Sequence, residues 1–137
     1  MFRILTRLFE RFSTSRILSK KNLRQLEKIL SHRIKNQDYY IQAFTHRSAL
    51  DDKKFKISNE RLEFLGDSLI GFIIATELFE NFQNKDEGFL TKARANFVNK
   101  NSLYDAAIRI DLIHFLNMNQ ELIGASSVGM KTVLADA

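Results

Sequence analysis

The sequence predicts an all-α protein, and three observations carry that prediction. The 137 residues include no Pro and only five Gly, so few positions interrupt a helix. Apolar residues recur three and four positions apart along most of the chain, which is the helical period. Hydrophobic residues make up 45% and charged residues 27%, the composition of a globular domain with a real core. The absence of Cys excludes a disulfide framework and thiolate metal sites.

The first helical segments lie before residue 50. In LRQLEKILSHRI, residues 23–34, the apolar positions keep helical spacing and predict an amphipathic helix. DYYIQAFTH, residues 38–46, is a shorter helical candidate, and the polar DDKKFK after it is a loop. We expect His46 to be a hydrogen-bonding group at the end of this segment rather than a general base.

A long helix is expected next, capped by Ser58 or Asn59 and ending near Phe82. It is apolar nearly all round, which is typical of a helix in an interior, so we expect it to be buried. Gly66 and Gly71 each cost about 1 kcal/mol relative to Ala, which indicates close packing against another helix or subunit. We assign the phenylalanines mainly to the core, with a subunit seam as the alternative for part of them: Phe44, Phe64, Phe72, Phe79, Phe89 and Phe97.

The remaining elements are also helical. NKDEGF, residues 84–89, reads as a turn, and residues 90–110 as one or two helices. The stretch from Asp111 to Gly129 is mixed, and MKTVLADA, residues 130–137, begins a helical pattern.

The net charge of +5 comes from one end of the chain. Residues 1–24 contain seven basic residues against Glu10, a net +6, whereas the other 113 residues carry 14 basic and 15 acidic side chains, a net −1. The pattern fits a basic extension that attracts a polyanion, a membrane-surface helix or an organelle transit segment, and the sequence leaves these three open.

Three carboxylates interrupt the apolar pattern in NERLEFLGDS, residues 59–68. Glu60, Glu63 and Asp67 share one stripe of the long helix, which becomes aliphatic further along. Like charges at this spacing repel by about 0.2–0.5 kcal/mol, and more when desolvated. Any of four features would compensate for this repulsion: a protonated carboxyl pair, basic neighbours such as Arg47 or Arg61, a favourable helix dipole, or Mg²⁺, which prefers oxygen ligands.

NERLEFLGDS resembles the signature of the ribonuclease III family at every position. AFTHRSA (43–49), DEGFLTKARANFVNKNSL (86–103) and VLADA (133–137) resemble further segments of that family in the same order. The resemblance runs from about residue 25 to the end of the sequence. We therefore divide the chain into a basic extension, 1–24, and a ribonuclease III-like catalytic domain, 25–137, without a double-stranded-RNA-binding domain.

The resemblance implies a magnesium-dependent endoribonuclease that cuts double-stranded RNA to 5′-phosphate and 3′-hydroxyl ends, with Mn²⁺ as a substitute metal. By this resemblance Glu63, Asp67 and Asp136 are metal ligands, and Glu60 joins Glu63 and Asp67 in the catalytic set. It also implies a cytoplasmic homodimer that processes ribosomal and messenger RNA. RNA contacts are expected at Lys92 and Arg94, and Glu87 corresponds to an acid near the partner's site or is simply a helix-start acid.

The sequence departs from the family at its end. The family's second acidic motif continues to a glutamate that would be residue 139, whereas the sequence ends at Ala137. We expect this polypeptide, as a C-terminally truncated domain, to be weakly active or inactive. The alternatives are a non-catalytic dimerisation or RNA-binding module and a helical protein anchored to a membrane surface by its tail.

Overall fold

The fold is all-α, as the sequence predicts. The computed structural model describes residues 18–50, 55–119 and 127–137, and within these ranges no strand is present, although Thr45 and Asn117 form one isolated parallel β-bridge. Two 3₁₀ turns, Arg47–Ala49 and Leu112–Phe115, lie between helices. The α-helices are α1 (Lys20–Leu30), α2 (Asp38–Ala43), α3 (Glu60–Asn81), α4 (Glu87–Phe97), α5 (Lys100–Arg109) and α6 (Ser127–Asp136).

Side-chain caps fix where several helices begin. Ser19 Oγ accepts a hydrogen bond of 3.1 Å from the amide of Asn22, and Asp86 Oδ1 accepts one of 2.8 Å from the amide of Phe89. These caps satisfy amides that have no partner inside the helix. At its other end α1 stops earlier than predicted, because Ser31 takes a left-handed conformation with φ 50°.

The core lies where α1, α2, α5 and α6 meet the second 3₁₀ turn. Phe44 and Phe115 stack there with ring centroids 5.5 Å apart, and Leu134 of α6 is almost completely buried. Burial of such side chains is the main source of stability in a domain of this size. The core consists of Leu18, Leu26, Ile34, Ile41, Phe44, Ala107, Leu112, Phe115 and Leu134.

The predicted burial of the long helix is wrong for a single chain. Leu78 is the one residue of α3 that the described structure buries. Phe64 is 77% exposed, Phe72 69% and Phe79 72%. The apolar pattern of α3 requires a partner surface, and among the described helices α4 packs along it while its other side stays open. Of the six phenylalanines assigned to the core, only Phe44 lies there in the part of the chain that is described.

The two glycines of α3 also lack the close neighbour that the sequence suggests. A Cβ atom added at Gly66 or at Gly71 would meet no described atom within 4 Å, apart from the neighbouring backbone of α3 itself. Packing against another of the described helices therefore does not explain them. The alternative explanation, packing against a second subunit, stays a prediction.

The N-terminal extension lies mostly outside the described residues. Its residues 1–17 are not described. The predicted boundary between the extension and the catalytic domain, after residue 24, falls inside α1. The division at that point stays a prediction. Within the described ranges, no helix combines the length and the apolar character needed to cross a membrane.

Candidate functional site

Three of the predicted acids line one pocket. Glu63 and Asp67 reach it from α3, and Asp136 reaches it from the end of α6, across a cavity of about 110 Å³. Glu63 and Asp67 lie one helical turn apart, so both side chains face the same way. The fold thus brings together carboxylates that are up to 73 positions apart in the sequence, Glu63 to Asp136. Other lining residues include Leu62, Ile70 and Leu103.

Two sets of contacts bring α6 to α3. Val133 and Leu134 are buried and fix α6 against the core. At the start of α3 the side chain of Asn59 donates a hydrogen bond of 3.4 Å to the backbone carbonyl of Asp136. The amide of Asn59 donates another, of 2.8 Å, to the carbonyl of Thr45. Asn59 is itself buried, so it joins three segments at the edge of the acidic pocket.

The pocket favours the protonated form of one acid. Partial burial raises the pKa of Glu63 above its ordinary value, and the neighbouring charges of Asp136 and Asp67 raise this pKa further. Lys100 acts in the opposite direction. Its Nζ lies 3.4 Å from Asp136 Oδ1 and forms an ion pair with it. The acids are therefore close enough to repel one another, and one basic side chain offsets part of that repulsion.

Glu60 does not line this pocket. Its carboxylate accepts a hydrogen bond of 2.9 Å from Ser58 Oγ and lies 3.9 Å from Arg47 Nη1. Both ion-pair partners are largely exposed, so the pair contributes little to stability. Arg47 was one of the two basic neighbours that the sequence suggested for the acids. The catalytic role of Glu60 stays a prediction.

The donor set of the pocket fits a hard divalent cation. Its three carboxylates supply oxygen atoms, and the cavity has room for the waters that Mg²⁺ retains. A cation there would relieve the repulsion that raises the pKa of Glu63. In the described residues, however, no three acidic or histidine side chains are yet arranged as a metal-binding group. Glu63, Asp67 and Asp136 therefore remain proposed ligands.

The basic residues proposed for RNA contact lie elsewhere. Arg94 lines a mainly apolar hollow of about 360 Å³ between α3 and α4, together with Phe72, Phe79 and Glu87. Lys92 is exposed on α4 and does not line the acidic pocket. The RNA contacts of Lys92 and Arg94 stay predictions.

His46 is the hydrogen-bonding group that the sequence indicates. Its Nδ1 accepts a bond of 3.1 Å from the amide of Ser48 and lies 2.8 Å from Ser48 Oγ. Ser48 Oγ in turn accepts a bond of 3.1 Å from the amide of Asn119. Burial lowers the pKa of His46, and Arg47 lowers it further, against opposing effects of Asp136 and Glu60. The imidazole thus caps the first 3₁₀ turn in its neutral form.

Two residues at the pocket escape sequence reasoning. Lys100 belongs to no acidic motif, and its proximity to Asp136 depends on how α5 packs against α6. Ser58 or Asn59 was expected to cap α3, but the side chain of Asn59 makes no capping bond and donates to the carbonyl of Asp136 instead. The sequence indicated a helix start near Asn59, whereas it did not indicate one at Lys100. It indicated the tertiary partner of neither residue.

Comparison with known proteins gives consistent matches. Residues 36–137 match the family described as Ribonuclease-III-like. Ribonuclease 3 of Bordetella petrii is 40% identical over 116 residues, which are 85% of this chain and 44% of that protein. Ribonuclease 3 of Buchnera aphidicola is 35% identical over 113 residues, 82% of this chain and 48% of that protein. The chain thus spans less than half the length of these relatives.

Solved structures agree with the sequence matches. A crystal structure of the nuclease domain of ribonuclease III from Campylobacter jejuni superposes with a TM-score of 0.71 at 35% identity, covering 85% of this chain and 76% of that one. A second structure of the same domain gives a TM-score of 0.70 at 33% identity, covering 84% and 80%. That second structure is described as showing structural flexibility in a region involved in dimer formation.

Proposed function

Because this chain belongs to the ribonuclease III-like family, we propose that it is a divalent-metal-dependent endoribonuclease domain that cleaves double-stranded RNA. The observation that carries the proposal is the meeting of Glu63, Asp67 and Asp136 at one pocket. The charges of Asp67 and Asp136 act on the partly buried Glu63, and a cation bound among these acids would relieve that repulsion. The products are expected to carry 5′-phosphate and 3′-hydroxyl ends.

The residues of the pocket have distinct parts in this proposal. A phosphodiester is already negative, so it resists attack by hydroxide. When bound, Mg²⁺ supplies positive charge against that phosphate and makes water more acidic. Glu63, Asp67 and Asp136 hold the cation, with Mn²⁺ as a substitute, and the stiffness of α3 fixes the spacing of the first two. Glu60 lies one helical turn before Glu63 on α3 but does not line the pocket.

The exposed side of α3 is the proposed subunit interface. Apolar side chains at helical spacing remain open to solvent along one side of this helix, and such a patch is typical of an association surface. The dimer-forming region reported for the Campylobacter jejuni domain supports a homodimer here. The patch consists of Leu65, Leu69, Phe72, Ile73 and Phe79, each between 48% and 72% exposed.

Duplex RNA is the substrate class that this arrangement suits. An A-form duplex is recognised mainly through its shape, its phosphates and its 2′-hydroxyls, so a nearly neutral catalytic module is sufficient. The basic residues of positions 1–24, with a net charge of +6, would add non-specific attraction to the phosphates. Processing of ribosomal and messenger RNA in the cytoplasm is the corresponding proposed role.

Cleavage of a long RNA duplex tests the function directly. Protein in excess over the RNA is incubated with Mg²⁺ or Mn²⁺, so that even slow cleavage is detected, and the ends of the products are analysed. Asp67→Asn should reduce the rate at least about a hundredfold. Glu80→Gln is the matched control, because it makes the same kind of charge change on an exposed position of the same helix. Equal rates for the two variants would refute the proposal.

A non-catalytic RNA-binding module is the second candidate. The observation in its favour is that Lys100 already pairs with Asp136, and that no ready metal-binding group exists among the described residues. Against it stands the retention of three acids at one pocket, because acids repel a polyanion. Metal-independent duplex binding without any cleavage would favour this candidate over the nuclease.

A further inference from the structure

Lys100 occupies an unusual position at the acidic pocket. It is the first residue of α5, and its Nζ lies 3.4 Å from Asp136 Oδ1. The Asp136 side chain is 26% exposed, whereas that of Lys100 is 53% exposed. The carboxylate is thus held in place by its surroundings, and the ammonium group reaches it from the solvent side on a flexible stem.

The backbone below Lys100 is fixed more firmly than its side chain. Asn99 Oδ1 accepts bonds of 2.9 Å from the amide of Asn101 and 3.0 Å from the amide of Ser102, so the start of α5 is capped. α5 also packs closely against α6, which carries Asp136. The ammonium group can therefore leave Asp136 by rotation of its own side chain, without any movement of the helices.

A divalent metal ion and the ammonium group of Lys100 need the same oxygen atoms. Both are attracted by Asp136, and the two cations repel each other across a few ångströms. The other basic side chain near the acids, Arg47, lies 3.9 Å from Glu60, which does not line the pocket. Lys100 is thus the basic side chain that the described structure pairs with a proposed ligand.

We propose that Lys100 is an internal counter-ion of the acidic pocket, which pairs with Asp136 in the metal-free protein and competes with the divalent metal for it. This inference rests on the proposed function, because it takes Glu63, Asp67 and Asp136 as the metal-binding acids. Lys100 keeps the acids compatible with the folded state before the metal binds, and it weakens metal binding as a consequence. A residue that only positioned Asp136 would have the opposite effect on affinity.

The test is a titration with Mn²⁺, followed by electron paramagnetic resonance in the absence of RNA. Lys100→Gln should bind Mn²⁺ about two- to tenfold more tightly than the unchanged protein, the effect of removing one partly exposed positive charge beside a dication. Lys100→Arg keeps the charge and should stay close to the unchanged protein. Lys131→Gln is the matched control, because Lys131 lies on the same helix as Asp136 but over the ring of Tyr104, with 5.4 Å between Nζ and the ring centroid.

The outcomes separate this inference from the function on which it rests. Asp67→Asn identifies the binding event that belongs to the pocket. If Asp67→Asn removes that event while Lys100→Gln leaves the affinity unchanged or weakens it, the counter-ion role is overturned and the metal site stands. If the unchanged protein binds no Mn²⁺ that depends on Asp67, both the metal site and the counter-ion role are overturned. Thermal unfolding of each variant shows that the fold is retained.

Discussion

Replacing Asn59 by Ala is expected to weaken both the fold and the binding of metal at the acidic pocket. Asn59 is 3% exposed and joins segments that are 77 positions apart in the sequence, because its side chain bonds to the carbonyl of Asp136. Its backbone amide, which bonds to Thr45, is unaffected by the substitution. The change therefore removes the side-chain link between the start of α3 and the end of α6, and little else.

The magnitude follows from the geometry of that link. A typical buried hydrogen bond contributes about 0.5–1.5 kcal/mol, and an unsatisfied carbonyl left behind costs about 1–3 kcal/mol. The bond to Asp136 is long, at 3.4 Å, so the lower half of these ranges applies. We expect Asn59→Ala to lower the free energy of unfolding by about 1–2 kcal/mol, which is a loss of about 3–10 °C in Tm. Affinity for Mn²⁺ should fall by about tenfold, the lower end of the effect that is typical of residues holding a metal ligand in place.

A matched variant separates stability from positioning. Ser19→Ala removes the cap of α1, whose bond to the amide of Asn22 is 3.1 Å long, and costs about 0.5–2 kcal/mol. α1 contributes no side chain to the acidic pocket. Thermal unfolding in the presence of a chelator measures the stability of both variants, and titration with Mn²⁺ measures their affinity. We expect the two variants to lose similar amounts of Tm. Only Asn59→Ala should also lose affinity for Mn²⁺. An unchanged affinity in Asn59→Ala would show that Asp136 is held by packing of α6 and that the reasoning is wrong.

Three further predictions use other parts of the molecule. Phe72→Lys, in the exposed patch of α3, should weaken self-association at least about tenfold in sedimentation experiments, and an unchanged dimer would place the interface elsewhere. Because the pKa of His46 is lowered, the folded protein binds fewer protons than the unfolded chain. The free energy of unfolding should therefore rise with pH up to about 6.5 and fall again as the pH is lowered. His46→Gln should flatten this dependence in unfolding titrations at different pH values. The raised pKa of Glu63 has the opposite effect on stability. Relative to Glu63→Gln, the unchanged protein should lose free energy of unfolding as the pH rises from about 4.5 through the raised pKa, and Mg²⁺ should reduce this difference between the two proteins.

Much of the secondary structure follows from local signals. Asp86 precedes an apolar segment and caps α4 through its own carboxylate, and Asn99 caps α5 in the same way. The grouping of Glu63 and Asp67 on one stripe also follows from the helical period alone. These features depend on residues within four positions of one another. They are the part of the fold and of the site that the sequence could predict.

Tertiary geometry decides what the sequence could not. The stripe that joins Glu60 to Glu63 suggested one cluster, but Glu60 is drawn towards Ser58 and Arg47 at the start of α3. The pairing of Lys100 with Asp136 depends on two helices whose contact has no signature in either segment. The apolar content of α3 predicted a buried helix, whereas most of its side chains are exposed in the described chain. A helical wheel shows that a surface needs a partner, but it does not show which chain supplies that partner.

The exposure of α3 ties the two proposed roles of this helix together. Glu63 and Asp67 face the acidic pocket, while Leu69 and Phe72 stand open on the other side. Within the described chain Leu78 is the one buried residue that anchors α3 by its side chain, so packing inside the chain fixes this helix weakly. A second subunit against the open side would remove that apolar surface from water and hold α3 in place. The distance from Glu63 and Asp67 to Asp136 would then depend partly on the subunit contact, although that contact includes none of the three acids. Association would therefore be a condition for a well-ordered pocket.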